Sequence, residues 1–176
     1  RLSEQVDVLP ITISERLILE HDIKVGDVIS VSGQFRSYNK MVDEKSRLML
    51  TIFVREILGE EEIINGNNID IVGYICKPPV YRTTPFKREI CDVLLAVNRA
   101  YNKSDYIPCI TWGRNARFIK NLPVGTKISL SGRIQSRVYQ KIDSDGIVED
   151  RTAYEVSVSK IALDGMHEGE EFSEII

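Results

Sequence analysis

The feature that most constrains this chain is that it repeats itself. Asp7-Val8-Leu9-Pro10-Ile11 resembles Asp105-Tyr106-Ile107-Pro108-Cys109 at an offset of 98, and Val25 to Gly33 resembles Val124 to Gly132 at an offset of 99. A third match, Leu50 to Ile57 against Tyr154 to Ile161, follows after loops of different length. Three matches in one order, at a spacing of about a hundred residues, mark a duplicated domain and not a solenoid repeat. Residues 66–97 precede the matched region of the second copy. The first copy has no counterpart to them, because the chain opens at Arg1, opposite Arg99, and without a Met. The first copy is therefore expected to lack its opening strands in this chain. The expected organisation is an incomplete, degenerate copy over 1–58, a linker over 59–66, a complete copy over 67–164 and an acidic, flexible tail over 165–176.

In the complete copy, Ile69 to Ile75 alternates as a strand, with Gly73 allowing a bend. Ile90 to Val97 is a second, more continuously apolar strand, and Tyr106 to Trp112 a third. Ala116, Phe118, Ile119 and Leu122 give Gly113 to Leu122 a short helical face. Ile128, Leu130 and Ile134 alternate within Lys127 to Arg137. Asp143-Ser144-Asp145-Gly146 signals a hairpin, and Arg151 to Leu163 returns as the fifth strand. Three strands, a short helix and a two-stranded hairpin predict an all-β fold of two tandem five-stranded Greek-key barrels of the oligonucleotide-binding (OB) type. A small β-sandwich is the rival, but it would not normally place its one helix between strands three and four.

Net charge is −3, which hides an uneven distribution. Residues 1–64 carry 8 Lys/Arg and 12 Asp/Glu, residues 65–164 carry 15 and 10, and residues 165–176 carry 0 and 4. A basic middle between acidic ends can face phosphates, although scatter among solvated faces explains +5 equally well. Cys76, Cys91 and Cys109 have no C-x-x-C spacing, so they read as free thiols in a reducing, cytoplasmic setting and not as a zinc site. No apolar run approaches the roughly 20 residues that span a bilayer. No nucleotide, hydrolase or metalloprotease motif occurs, so no catalytic residue, metal or cofactor is expected. Asp143 and Asp145, followed by Gly146, fit a turn better than a metal pair.

Leu95 to Tyr101, Thr111-Trp112-Gly113, Ser131 to Tyr139 and Asn68 to Gly73 together resemble the bacterial single-stranded DNA-binding protein family over about 100 residues. The resemblance implies sequence-tolerant binding of single-stranded DNA in replication, recombination or repair, by a bacterial, nucleoid-associated protein. It places aromatic stacking positions on Tyr101, Tyr106, Trp112 and Tyr139. Every base has a π face, so a line of rings holds a strand of any sequence. Residue parity alone leaves Trp112 open between core and surface, and leaves Tyr106 with it. Arg99, Arg114, Arg133, Arg137 and Lys141 lie near these rings in sequence and are the candidate phosphate ligands, with a solvated basic surface as the bland alternative.

The first copy departs from this pattern, with Ser3, Val8, Ser14 and Lys40 opposite the four rings. It is expected not to stack DNA and to serve as a scaffold or a barrel-pairing surface, Tyr38 being its one nearby aromatic. Family members commonly assemble four barrels, which implies a homodimer of tandem chains. The acidic tail resembles, in outline, tails that recruit replication and repair proteins, and is equally a solubilising end. Two other functions stay open: a primosomal, replication-restart barrel, and a protein-interaction module without DNA binding.

Overall fold

A computed structural model of the chain describes residues 6–59 and 66–163, so Ser3, most of the linker and the acidic tail lie outside the described residues. The described residues form nine strands and two short helices, in the order β1 (Ile11–Thr12), α1 (Glu15–Glu20), β2 (Ser30–Val42), β3 (Lys45–Leu58), β4 (Ile69–Ile75), β5 (Val80–Thr83), β6 (Glu89–Arg99), β7 (Lys103–Trp112), α2 (Gly113–Ile119), β8 (Lys127–Ile142) and β9 (Val148–Leu163). The second copy runs β4-β8-β9-β7-β6-β5, and a further β4–β6 pairing closes five of these strands into a barrel. Ile75, Leu95, Ile107, Ile119, Ile128 and Val156 are fully buried at its centre. The first copy is a three-stranded sheet, β1-β3-β2.

The duplication extends to individual residue pairs. β1 meets β3 in parallel at Ile11 and Ile52, and β7 meets β9 in parallel at the equivalent Cys109 and Val156. Both long hairpins shift register at the same place, between Ser32 and Gly33 and between Ser131 and Gly132. A Cβ at Gly33 would sit 2.0 Å from the Phe53 carbonyl oxygen, and one at Gly132 would sit 2.1 Å from that of Ser157. Glycine is required because the bulge presses the two backbones together.

Reciprocal contacts join the copies. The Ser37 N–H donates to Asp105 Oδ1 at 2.9 Å, and the Ser37 hydroxyl accepts from the Tyr106 N–H at 2.7 Å. At the equivalent positions, the Ser136 N–H donates to Asp7 Oδ1 at 3.0 Å, and the Ser136 hydroxyl accepts from the Val8 N–H at 3.1 Å. Patches that meet in this mutual way define an isologous joint, here folded into one chain with a pseudo-two-fold axis between its halves. Phe35 and Leu50 of the first copy belong to the same apolar cluster as the second copy's core.

Two features go beyond the expected strands. The fourth strand of the complete copy runs past Arg137, because pairing in the hairpin of β8 and β9 continues through Tyr139–Arg151 to Ile142–Val148. The turn beyond is an Asx type, in which Asp143 Oδ1 accepts from the Asp145 and Ile147 N–H groups at 2.9 and 2.8 Å. β5 is an added strand, paired to the edge of β6. No helix among the described residues is long and apolar enough to cross a membrane.

Candidate nucleic-acid interface

The register places Tyr74, Ala96 and Tyr106 side by side across β4, β6 and β7. Leu95, paired with Ile75 and Ile107, points inward and is fully buried, so the tyrosine row points outward. Along β7 the same outer face carries Pro108, Ile110 and Trp112. Tyr106 and Trp112 therefore stand about 20 Å apart, six residues at the usual rise per strand residue. Exposure settles what parity left open: Tyr106 is 41% exposed, Trp112 38%, Tyr139 38% and Tyr101 94%. Tyr101 sits at the tip of the turn between β6 and β7 with φ +63°, a left-handed conformation uncommon for a bulky residue.

An open groove of about 420 Å³ is lined by Lys77, Pro78, Val80, Leu94 and Pro108, by Arg137 and Tyr139, and by the carboxylates Asp92 and Glu155; of the four rings Tyr139 alone lines it. A second hollow of about 310 Å³ shares Pro108 and Tyr139 and runs on to Leu48, Met49 and Leu50 of the first copy. Tyr139 thus stands at the junction of the two. Tyr74 was not among the sequence candidates. The alternation of Asp70, Val72 and Tyr74 on one parity was the signal that would have found it.

Trp112 occupies the N-cap of α2 and makes no side-chain cap bond. The equivalent residue in the first copy, Ser14, caps α1 in the usual way, its hydroxyl accepting from the Leu17 N–H at 3.2 Å. A Ser-type cap is worth about 1 kcal/mol. The second copy therefore forgoes a local stabilisation to display an indole.

The five cations divide. Arg99 Nε lies 2.9 Å from the buried Asp105 carboxylate, with its N–H aimed off the acceptor, so the pair is an ion contact and not an aligned hydrogen bond. Arg133 donates to Asp7 at 2.8 Å. Both serve the joint between the copies. Arg137 donates to Glu155 Oε1 at 3.1 Å and lies 5.9 Å from the Tyr139 ring centroid. The hydrogen bond to Glu155 holds its pKa above the ordinary guanidinium value. Arg114 and Lys141 are exposed, and neither has an ion-pair partner among the described residues.

Cys91 and Cys109 are buried, and burial first raises both thiols, Cys91 to about 11. Among the described residues no group of three His, Cys, Asp or Glu could hold a metal ion.

Comparison with known proteins adds a direct match: the model of the Single-strand binding protein family covers residues 66–164. "Single-stranded DNA-binding protein 1" of Staphylococcus aureus is 36% identical over 81 residues, which is 42% of this chain and 48% of that protein. "Single-stranded DNA-binding protein A" of Bacillus subtilis is 35% identical over 81 residues, 42% of this chain and 47% of that protein. The chain thus spans about half the length of these relatives. Among solved structures, a deletion mutant of the single-stranded DNA binding protein from Thermus aquaticus superposes with a TM-score of 0.61 at 17% identity, over 83% of this chain and 63% of that one. At that identity the likeness concerns the fold, and it takes in both copies.

Proposed function

Since the chain belongs to the single-strand binding protein family, we propose that it binds single-stranded DNA in its second copy, by stacking bases on Tyr106, Trp112 and Tyr139. The observation that supports this reading is the outward exposure of these rings on the region that the family covers, with Tyr139 lining an open, mostly apolar groove there. Each stacked base contributes roughly 1–3 kcal/mol irrespective of sequence. Tyr101, at the hairpin tip, extends the line of rings, and Arg114 and Lys141 face phosphates. A binder of this kind serves wherever single strands are exposed, as in replication, recombination and repair. Two tandem chains joined as a homodimer supply four copies, and a monomer in sedimentation at working concentration refutes that assembly.

Trp112 is the only tryptophan, so its emission reports on the site. Oligo-thymidine is expected to quench it, with binding that weakens as salt rises. Unchanged emission together with no mobility shift at low salt overturns the reading.

A further inference from the structure

The long hairpins of the two copies share a backbone plan and differ in what one face of it carries. On β2 and β3 the register sets Arg36 opposite Thr51, Tyr38 opposite Met49, Lys40 opposite Arg47 and Val42 opposite Lys45. Directly paired residues share a face, and so do alternate residues along each strand. Arg36, Lys40, Lys45 and Arg47 therefore all stand on one face, with Tyr38 among them and no carboxylate. The equivalent face of β8 and β9 pairs Gln135 with Glu155, Arg137 with Ala153, Tyr139 with Arg151 and Lys141 with Glu149. There two carboxylates offset three cations, leaving +1 against +4 on the first copy. The first copy's carboxylates lie around α1, in the linker, at Asp7 and Glu56, and in the turn of this hairpin, where Asp43 and Glu44 offset two of the four cations without standing on the paired face.

Three facts make the +4 face a candidate for an anion. First, among the described residues, none of Arg36, Lys40, Lys45 and Arg47 has an ion-pair partner. Second, Lys40 and Arg47 are direct cross-strand neighbours. Like charges so placed destabilise a hairpin, so a purely structural role would not select them. Third, Met49, which stands on this face opposite Tyr38, lines the hollow that leaves the groove past Tyr139 and Pro108, together with Leu48 and Leu50 of the other face. At the base of the hairpin, Arg36 lies over the Phe53 ring at 3.9 Å. Burial first, then the neighbouring Arg99 and Arg55, depress its pKa.

We infer that the first copy, though stripped of stacking rings, holds the DNA backbone: its β2–β3 hairpin receives the phosphates of a strand whose bases occupy the second copy's groove. The inference rests on the DNA-binding reading above and extends it. The two copies then divide the work, one taking bases and the other charge.

The test compares two double variants of equal charge change in the full chain, each titrated with oligo-thymidine by Trp112 emission over a salt series. Lys40→Gln with Arg47→Gln removes two hairpin cations. Arg16→Gln with Lys24→Gln removes two from the region of α1, where they already pair with Glu20 and Asp22. For a single strand each lost phosphate contact lowers the slope of log K against log salt by about 0.7, so the hairpin variant is expected to lose about 1.4. Quenching at saturation should stay at the wild-type level, and thermal stability should hold or rise as the like-charge pair is relieved. The α1 variant is expected to keep the wild-type slope. If the hairpin variant keeps it too, or if both variants lose slope equally, the inference fails while DNA binding stands. If the wild-type chain itself shows no quenching and no shift, the DNA-binding reading fails first and this one falls with it.

Discussion

Set side by side, the two copies show one backbone plan serving two purposes. Ile11 with Ile52 and Cys109 with Val156 make the same parallel contact. Yet Ile11 is 47% exposed and Cys109 only 2%. The second copy lays β4 and β6 against its core, whereas among the described residues the first copy has no such strands. The same contrast appears at Ser14 and Trp112, where one position caps a helix and its twin shows an aromatic ring. It appears again at Lys40 and Tyr139, a charge against a ring. Duplication allows this, because a joint made of backbone N–H groups, two serines and two aspartates leaves the outward side chains of each half free to change.

Breaking the joint is expected to have the largest effect. Asp105→Ala leaves the Ser37 N–H without its acceptor and Arg99 without its carboxylate in a mostly buried setting, a loss of about 3 kcal/mol in urea unfolding. Asp7→Ala, at the twin position, is expected to cost less, about 2 kcal/mol, since its carboxylate is more exposed (12% against 3%). Equal losses would show that the pseudo-symmetry is energetic as well as geometric.

Next comes the bulge. Gly132→Ala forces a methyl group into the Ser157 carbonyl within a closed barrel, with an expected cost of about 3 kcal/mol in thermal or urea unfolding. Gly33→Ala makes the same clash on β2, which among the described residues pairs only with β3 and can move away, so about 1 kcal/mol is expected. A reversal of this order would mean that the first copy's sheet is held as rigidly as the barrel.

Binding sharpens the comparison further. Tyr139→Ala is expected to weaken oligonucleotide binding by about 2 kcal/mol with an unchanged salt slope. Lys40→Ala, its twin, should leave Trp112 quenching intact and make the slope shallower by about 0.7. The smallest effect is local: Ser14→Ala should lower stability by about 1 kcal/mol through its lost cap, visible in denaturation and silent in DNA binding.

Local patterns made much of this legible in advance. Alternation located β4, a more continuously apolar run located β6, Tyr106 to Trp112 marked β7, and the run from Gly113 to Leu122 located α2. Other features were out of reach of spacing arguments. The sequence offered Arg99 and Arg133 as phosphate ligands because they lie near the rings along the chain. Arg133 pairs across the joint with Asp7, 126 residues away, while Arg99 pairs within its own copy with Asp105, the carboxylate that accepts from the Ser37 N–H of the other copy. The expected fourth strand stopped at Arg137, short of Tyr139, whose neighbours are polar. Those neighbours are polar because both faces of an extended hairpin meet water, which period-two patterning cannot distinguish from a turn.

The family resemblance is what marked the four rings as stacking positions; the chain's residues alone were enough to reveal the duplication and the all-β character. These are properties of order and periodicity, and order and periodicity are written along one dimension. The tertiary structure decided which cations are paired, which rings reach solvent and which face of the first hairpin gathers its charge. The reason is register: in a sheet, a shift of one residue sends every side chain to the opposite face, and register is set by partners distant in the chain.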